Sequence, residues 1–206
     1  MKLNMFEFLL MNNPIRGYLQ EIQEVKMLRH MTSIRGVEQV LEIGCGNGNG
    51  TMLIKKYFEP QKITAVDLDE RMIEIARRKR HDPSVEYRVM DASNLDFANN
   101  TFDAVFDFGI IHHIPNWKDC ISELKRVLKP GGAVILEELS TDTFHTIPGR
   151  VWRILLDHPY DEMYSTEEFV EELETQGFII NDYKESYPLR LFKNFSLVAT
   201  KQQSAP

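Results

Sequence analysis

The chain has 206 residues, enough for one core and one domain, and its 43% hydrophobic and 27% charged residues are the balance of an ordinary folded protein. A formal net charge of −7 disfavours DNA or RNA as a partner, because affinity for phosphates rests on basic patches. No apolar run approaches the roughly 20 residues of a membrane span, no signal-peptide cleavage pattern follows the amino end, and two cysteines, Cys45 and Cys120, make neither a disulfide framework nor a metal cluster; the expected location is a reducing cytoplasm, with no metal bound.

Residues 1–35 are expected to form a helical extension. Its first turns carry Met5, Phe6, Phe8, Leu9, Leu10 and Met11, which could touch a membrane surface. Asn13-Pro14 is a helix start, with Asn as cap and Pro in the first turn. Ile15, Tyr18, Leu19, Ile22 and Val25 then make one apolar stripe, interrupted by Gly17, which costs roughly 1 kcal/mol against alanine. Such a segment must pack on something. It either covers a sheet edge or lies over a ligand crevice as a lid, and in the second case Arg16 and Tyr18 are the polar residues that meet a substrate.

The next stretch organises the rest. Val37, Val40, Leu41 and Ile43 read as a buried strand, and glycine then occupies positions 44, 46, 48 and 50. Leu53, Ile54, Tyr57 and Phe58 follow at the spacing of a helix face. Strand, glycine turn and helix make a nucleotide crevice at the carboxyl end of a first strand. The dinucleotide pattern G-x-G-x-x-G fails, since the third glycine falls on Asn49 or Thr51, and no Gly-Lys-Ser/Thr of a P-loop follows. Glu42, two residues before the first glycine, suits a cationic ligand better than a pyrophosphate.

A second strand, Lys62 to Asp67, ends in acid; Asp67 lies 23 residues beyond Gly44, close to the spacing at which an acid meets a ribose. Asp69 is the expected cap of the next helix, with Met72, Ile73 and Ala76 inward. The basic run Arg77 to His81 reads as a solvated face complementing the negative helix end. Ser84 to Met90 is a third strand, with Asp91-Ala92 at its tip, where a short acid can accept from an exocyclic amine. Thr101 to Phe108 is the fourth strand, and Gly109 to Pro115 crosses into a helix capped by Asn116 and stopped by Lys129-Pro130-Gly131-Gly132. Ala133 to Leu139 is the fifth strand. A helix opening on the capping-box spacing of Ser165 and Glu168 ends at Gly177, and two closing strands, Phe178 to Tyr187 and Asn194 to Thr200, complete the chain.

Taken in order, Val40-Leu41-Glu42-Ile43-Gly44-Cys45-Gly46 through Gly50, Val66-Asp67, Met90-Asp91-Ala92, Phe102-Asp103-Ala104-Val105, Ile111-His112-His113-Ile114 and Arg126 to Gly132 resemble a small-molecule class I S-adenosylmethionine-dependent methyltransferase of the type 11 kind, over roughly residues 37–139. The resemblance implies an α/β, Rossmann-like, doubly wound sheet of seven strands, mostly parallel with the last antiparallel, and helices on both faces. It divides the chain into an extension at 1–35 and a methyltransferase domain at 36–206, with 140–176 as its substrate side. It implies S-adenosylmethionine as cofactor and S-adenosylhomocysteine as product. Glu42, Gly44, Gly46 and Gly48 would lie near the methionine moiety, Asp67 on the ribose hydroxyls, Leu68, Asp91 and Ala92 at the adenine, and Phe108 facing the cofactor.

Methyl transfer from a sulfonium is an in-line displacement from an activated leaving group, so alignment and exclusion of water supply most of the rate. A hydroxyl or acidic carbon as acceptor needs a base as well. His113 is the candidate base, and His112, His145 and Tyr160 are candidate substrate contacts; no carboxylate at ligand spacing makes the His pair a metal site. The leading acceptor is a small metabolite entering between the amino-terminal helices and residues 140–164, where Phe144, Trp152, His158 and Tyr164 also lie. Alternatives are a nucleic-acid, protein or lipid methyltransferase and a non-catalytic cofactor-binding domain. Oligomeric state is left open.

Overall fold

Parallel strands joined by helical crossovers leave both sheet faces to be covered, and both are. The computed structural model describes residues 13–145, 149–150, 159–187 and 193–203. The apolar stretch Met5 to Met11, Trp152 and His158 lie outside the described residues. Strands β1 (Gln39–Ile43), β2 (Lys62–Asp67), β3 (Val85–Val89), β4 (Phe102–Phe108), β5 (Leu128–Leu139), β6 (Phe178–Ser186) and β7 (Asn194–Lys201) form one sheet in the order β3-β2-β1-β4-β5-β7-β6. Only the pairings of β7 with β5 and β6 are antiparallel. The expected fold is therefore the one observed, with its switch of strand order between β1 and β4.

The amino-terminal helix is one piece with an interruption. Helix α1 (Pro14–Leu19) passes through a π-helical turn, Gln20–Val25, into α2 (Lys26–Met31), with Leu19 and Lys26 both right-handed at the joints. Val25, Leu28 and Met31 are buried against Val40, Ala104, Phe106 and Ile135 of the sheet and Leu53, Ile54 and Phe58 of α3 (Asn49–Phe58). Helix α4 (Glu70–Lys79) packs Ile73 and Ala76 on Ala65 and Tyr87. The opposite face is covered by α5 (Trp117–Val127) and α7 (Thr166–Thr175), whose Ile121, Leu124, Phe169 and Leu173 meet Leu41, Val105, Val134 and Leu197. A short helix α6 (Thr141–His145) follows β5. Among the described residues no helix is long and apolar enough to cross a membrane.

Several local expectations hold to the atom. The Asp69 side chain accepts from Arg71 N–H at 3.0 Å, and Ser165 with Glu168 forms a complete capping box. Others differ. Asn116 sits at the N-cap of α5 but makes no cap bond; its amide donates to Asp119 Oδ2 at 3.0 Å instead. The Lys129 to Gly132 stretch does not form a separate turn: α5 ends at Val127 and β5 begins at Leu128. Lys129 precedes a proline, which favours extended backbone, and the surplus residues are absorbed by a register shift between the pairs Phe102–Leu128 and Ala104–Ala133. Arg126 is a staple: its guanidinium donates to the carbonyls of Leu95 (2.7 Å) and Phe97 (2.6 Å) and pairs with Glu123, pinning the polar turn ahead of β4.

Candidate functional site

A cleft of about 530 Å³ opens at the carboxyl ends of β1 and β4. It is lined by the glycine turn and the start of α3, by Phe108, and by Arg16, Gly17 and Tyr18 of α1 with Gln20 of the π turn. Glu42, Gly44, Gly46 and Phe108, all expected at the site, line it. Among the described residues of the amino-terminal helix, Arg16 to Gln20 thus border the crevice, while Val25, Leu28 and Met31 pack on the sheet.

Glu42 is 1% exposed at the end of β1. It accepts a hydrogen bond from the Thr51 hydroxyl on the first turn of α3. Burial pushes its carboxyl up to about 8, with the Thr51 bond opposing that and the nearby Asp67 adding to it. The carboxylate fits only because residue 50 is glycine: a Cβ there would overlap Glu42 Oε1 and lie 2.9 Å from the Phe108 ring. Gly44, at φ +63°, is equally constrained, since a Cβ would lie 2.5 Å from Ile110 on the turn after β4.

Asp67, at the tip of β2, reaches across to the glycine turn. Its Oδ2 accepts from Gly46 N–H and its Oδ1 from Asp69 N–H, both at 2.8 Å. Burial raises its carboxyl above the usual range against the pull of those two donors. Leu68, next along, is 40% exposed and shows an apolar face beside the acid. Asp91 is exposed and accepts from Ser93 N–H and Oγ at 2.9 and 2.7 Å, and Ala92 is buried beside it. Gly48, Asp67, Leu68, Asp91 and Ala92, also expected at the site, are not part of the cleft lining; Asp67 and Leu68 lie at the end of β2, and Asp91 and Ala92 follow β3.

The amino-terminal helix is fastened by Gln20, Asn49 and Glu21, which the sequence did not single out. Gln20 accepts from Asn49 Nδ2 at 2.8 Å, tying the π turn to the first residue of α3. Gly17 makes room for that contact, since a Cβ would come within 3.2 Å of the Asn49 amide, which is the packing reason for a glycine inside the stripe. Glu21 accepts from Tyr57 Oη at 2.7 Å and pairs with Lys56 at 2.5 Å. Arg16 pairs with Glu24 at 2.6 Å, and Tyr18 is 64% exposed. Of the basic run, Lys79 and Arg80 line the cleft and Arg77 donates to the Tyr87 carbonyl at 2.7 Å, so only part of it is a solvated face.

A second polar group lies behind the turn after β4, on the other face of the sheet. His112, 4% exposed in the 3₁₀ turn Ile111–His113, holds its Nδ1 2.6 Å from Glu138 Oε2 at the end of β5. Glu138 also accepts from Ile111 N–H at 2.5 Å and Leu139 N–H at 2.9 Å. Burial opposes its charge, but the imidazole beside it and these donors hold the carboxyl below its usual range. Asp107, wholly buried next to it, is pushed well above the carboxylate range by burial and by Glu138. His113 packs its ring 4.2 Å from that of His112. His145 is exposed at the end of α6, and Tyr160 packs edge-on against Phe144 at 5.1 Å. Neither lines the cleft. Among the described residues no group of three His, Cys, Asp or Glu could hold a metal ion.

Residues 41–136 match the methyltransferase domain family. The chain is 32% identical over 108 residues to phthiotriol/phenolphthiotriol dimycocerosates methyltransferase of Mycobacterium tuberculosis, covering 51% of this chain and 40% of that protein. It is 36% identical over 95 residues to the fatty-acid O-methyltransferase of Mycolicibacterium smegmatis, covering 46% and 35%. The match thus spans less than half the length of these relatives. The fold is similar to Haemonchus contortus phosphoethanolamine N-methyltransferase 2, solved with S-adenosyl-L-methionine, at TM-score 0.73 and 21% identity over 88% of this chain and 52% of that one.

Proposed function

We propose that this chain, whose residues 41–136 match the methyltransferase domain family, is a class I methyltransferase that transfers a methyl group from S-adenosylmethionine to an oxygen of a small, apolar acceptor. The observation that carries the cofactor reading is the pair of carboxylates, Glu42 and Asp67, on either side of the glycine turn, with the space above Glu42 kept open by Gly50. The residues fit that molecule. A buried carboxylate with a single hydroxyl donor is under-satisfied and suits a cationic amino-acid end. Asp67 keeps lone pairs for a ribose diol. Leu68, Ala92 and Asp91 offer an apolar face and an acceptor where an adenine would rest.

When bound, S-adenosylmethionine supplies an activated methyl group. The chain's own part is to align the acceptor, exclude water and move a proton if the acceptor carries one. Gln20 and Asn49 tie the π turn to α3 beside the cleft, and Phe108 lines it. The names of two relatives, one a fatty-acid O-methyltransferase, support an apolar oxygen acceptor. The net charge of −7 and the partial use of the basic run inside the cleft support a small molecule over a nucleic acid. The absence of a spanning helix among the described residues is compatible with action in the cytoplasm.

Isothermal titration with S-adenosylmethionine and with NAD tests the cofactor. Binding of the first with little or none of the second is expected, and preference for NAD ends the reading.

A further inference from the structure

We propose that Arg80, with Lys79 beside it, receives the carboxylate of the cofactor's amino-acid end and makes the cleft select S-adenosylmethionine over its decarboxylated form; this rests on the cofactor reading above. That end carries an ammonium and a carboxylate. Glu42 suits the ammonium, and the carboxylate next to it calls for a cation.

The basic run Arg77 to His81 divides in the middle. Arg77 donates to the Tyr87 carbonyl, and Arg78 pairs with Glu74 at 3.1 Å on the outer face of α4. Lys79 and Arg80 line the cleft instead. Arg16 lines it too, but Arg16 already has an acid, Glu24. Among the described residues neither Lys79 nor Arg80 has a carboxylate within ion-pair reach. The cleft therefore presents positive charge that the fold itself does not neutralise, a few residues from an acid with an open side.

Arg80 is held in place along its length. It caps the carboxyl end of α4, with its N–H bound to the Ala76 carbonyl at 2.8 Å. Its stem lies against the glycine turn: a Cβ at Gly48, where φ is +79°, would stand 3.1 Å from Arg80 Cγ and 3.2 Å from Ala76 Cβ. Both the left-handed backbone and this close approach call for glycine at 48. At the head of the side chain, Nη2 makes one long contact, 3.4 Å, with Asn49 Oδ1, and the Asn49 amide nitrogen is already given to Gln20. Arg80 Nε is buried and finds no hydrogen-bond partner. A guanidinium so placed is short of an acceptor, and a carboxylate is the group that takes two parallel N–H bonds from its fork. The opposite charge is close at hand. Gly48 and Gly50 open α3 two residues apart, the first against the Arg80 stem and the second against the Glu42 carboxylate. The first turn of α3 thus has an anion on one flank and an unpaired cation on the other, the mirror of the two charges on an α-amino acid.

The test is titration calorimetry of the full chain at pH 8 with two ligands, S-adenosylmethionine and decarboxylated S-adenosylmethionine, which keeps the ammonium and the sulfonium. The parent protein should bind the first about thirtyfold more tightly, on the scale of a charge-assisted hydrogen bond. Arg80→Met should lower affinity for S-adenosylmethionine by about the same factor and leave the decarboxylated ligand within about twofold, so that the preference disappears. Arg80→Lys should recover part of it, because an ammonium keeps the charge without the fork. Lys79→Met should cost about threefold, on S-adenosylmethionine alone. Glu42→Gln should weaken both ligands alike, since both carry the ammonium. A parent that binds the two ligands equally overturns the inference without any variant. So does an Arg80→Met protein with unchanged affinities, or one in which both ligands weaken together, which makes Arg80 a prop for the turn; each of these leaves the cofactor reading in place. Binding of neither ligand by the parent overturns the cofactor reading and this inference with it.

Discussion

Two buried glutamates, Glu42 at the tip of β1 and Glu138 at the tip of β5, sit on opposite faces of one sheet, and their carboxyls are shifted in opposite directions. They are 1% and 0% exposed, so burial disfavours ionisation of both. Glu42 has one hydroxyl donor and an acid for a neighbour, and is pushed up to about 8. Glu138 has two backbone N–H donors and an imidazole, and is held below its usual range. Burial alone does not decide the charge of a carboxyl: the imidazole beside Glu138 and the donors aimed at it outweigh burial, whereas at Glu42 a single hydroxyl does not. In the proposed function the open side of Glu42 is where a cation would rest, whereas Glu138 already has its partners in the fold.

That contrast can be broken from the Glu42 side in order of expected effect. Gly50→Ala places a methyl group against Glu42 and Phe108, and overpacking of this kind costs about 1–3 kcal/mol. Affinity for S-adenosylmethionine by titration should fall about 100-fold; unchanged affinity would remove the space over Glu42 from the site. Glu42→Gln should weaken the same binding about thirtyfold near pH 8 and only about threefold at pH 6.5, on the scale of a charge-assisted bond. The parent protein binds an amino cation better as pH rises towards 8, where Glu42 gives up its proton, and the variant should lose that rise.

Stability runs the other way. Because Glu42 is raised in the folded state, the folded chain holds a proton that the unfolded chain has lost, and stability from this group declines as pH rises from about 4.5 to about 8. Glu42→Gln should therefore gain in melting temperature relative to the parent at pH 9 and not at pH 5. A variant less stable at both would show that the glutamate stabilises the empty fold.

Asp67→Ala should lower cofactor affinity at least about tenfold, since it removes a charged acceptor from the ribose position; an unchanged constant would take Asp67 out of the site. The smallest effect sharpens the comparison. Gln20→Ala breaks only the fastening to Asn49 and should weaken binding about threefold, chiefly through faster dissociation in stopped flow.

Much of the cleft at the end of β1 was legible because its signals are local. The acid two residues before a run of glycines, and the acid at the end of the next strand, lie where the backbone itself puts them, and Glu42 and Asp67 do meet the same turn. Gly50 was visible as a glycine but not as the neighbour of a carboxylate. Gln20, Asn49 and Thr51 gave no signal, because their meaning comes from elements far apart in the chain. On the other face, the His-His pair was legible as a pair. Which histidine gains a carboxylate was not, since Glu138 lies 26 residues further on.

By itself the sequence determined the alternation of strands and helices, the switch point and the carboxylates at the strand tips, because periodicity and turn chemistry act over a few residues. Tertiary structure decided that α1 borders the cleft, that Lys79 and Arg80 turn into it, that Arg126 staples a loop, and that the carboxyls of Glu42 and Glu138 are shifted in opposite directions. Each of these depends on which polar groups from distant segments arrive within hydrogen-bond reach of a buried atom, and no local pattern records that.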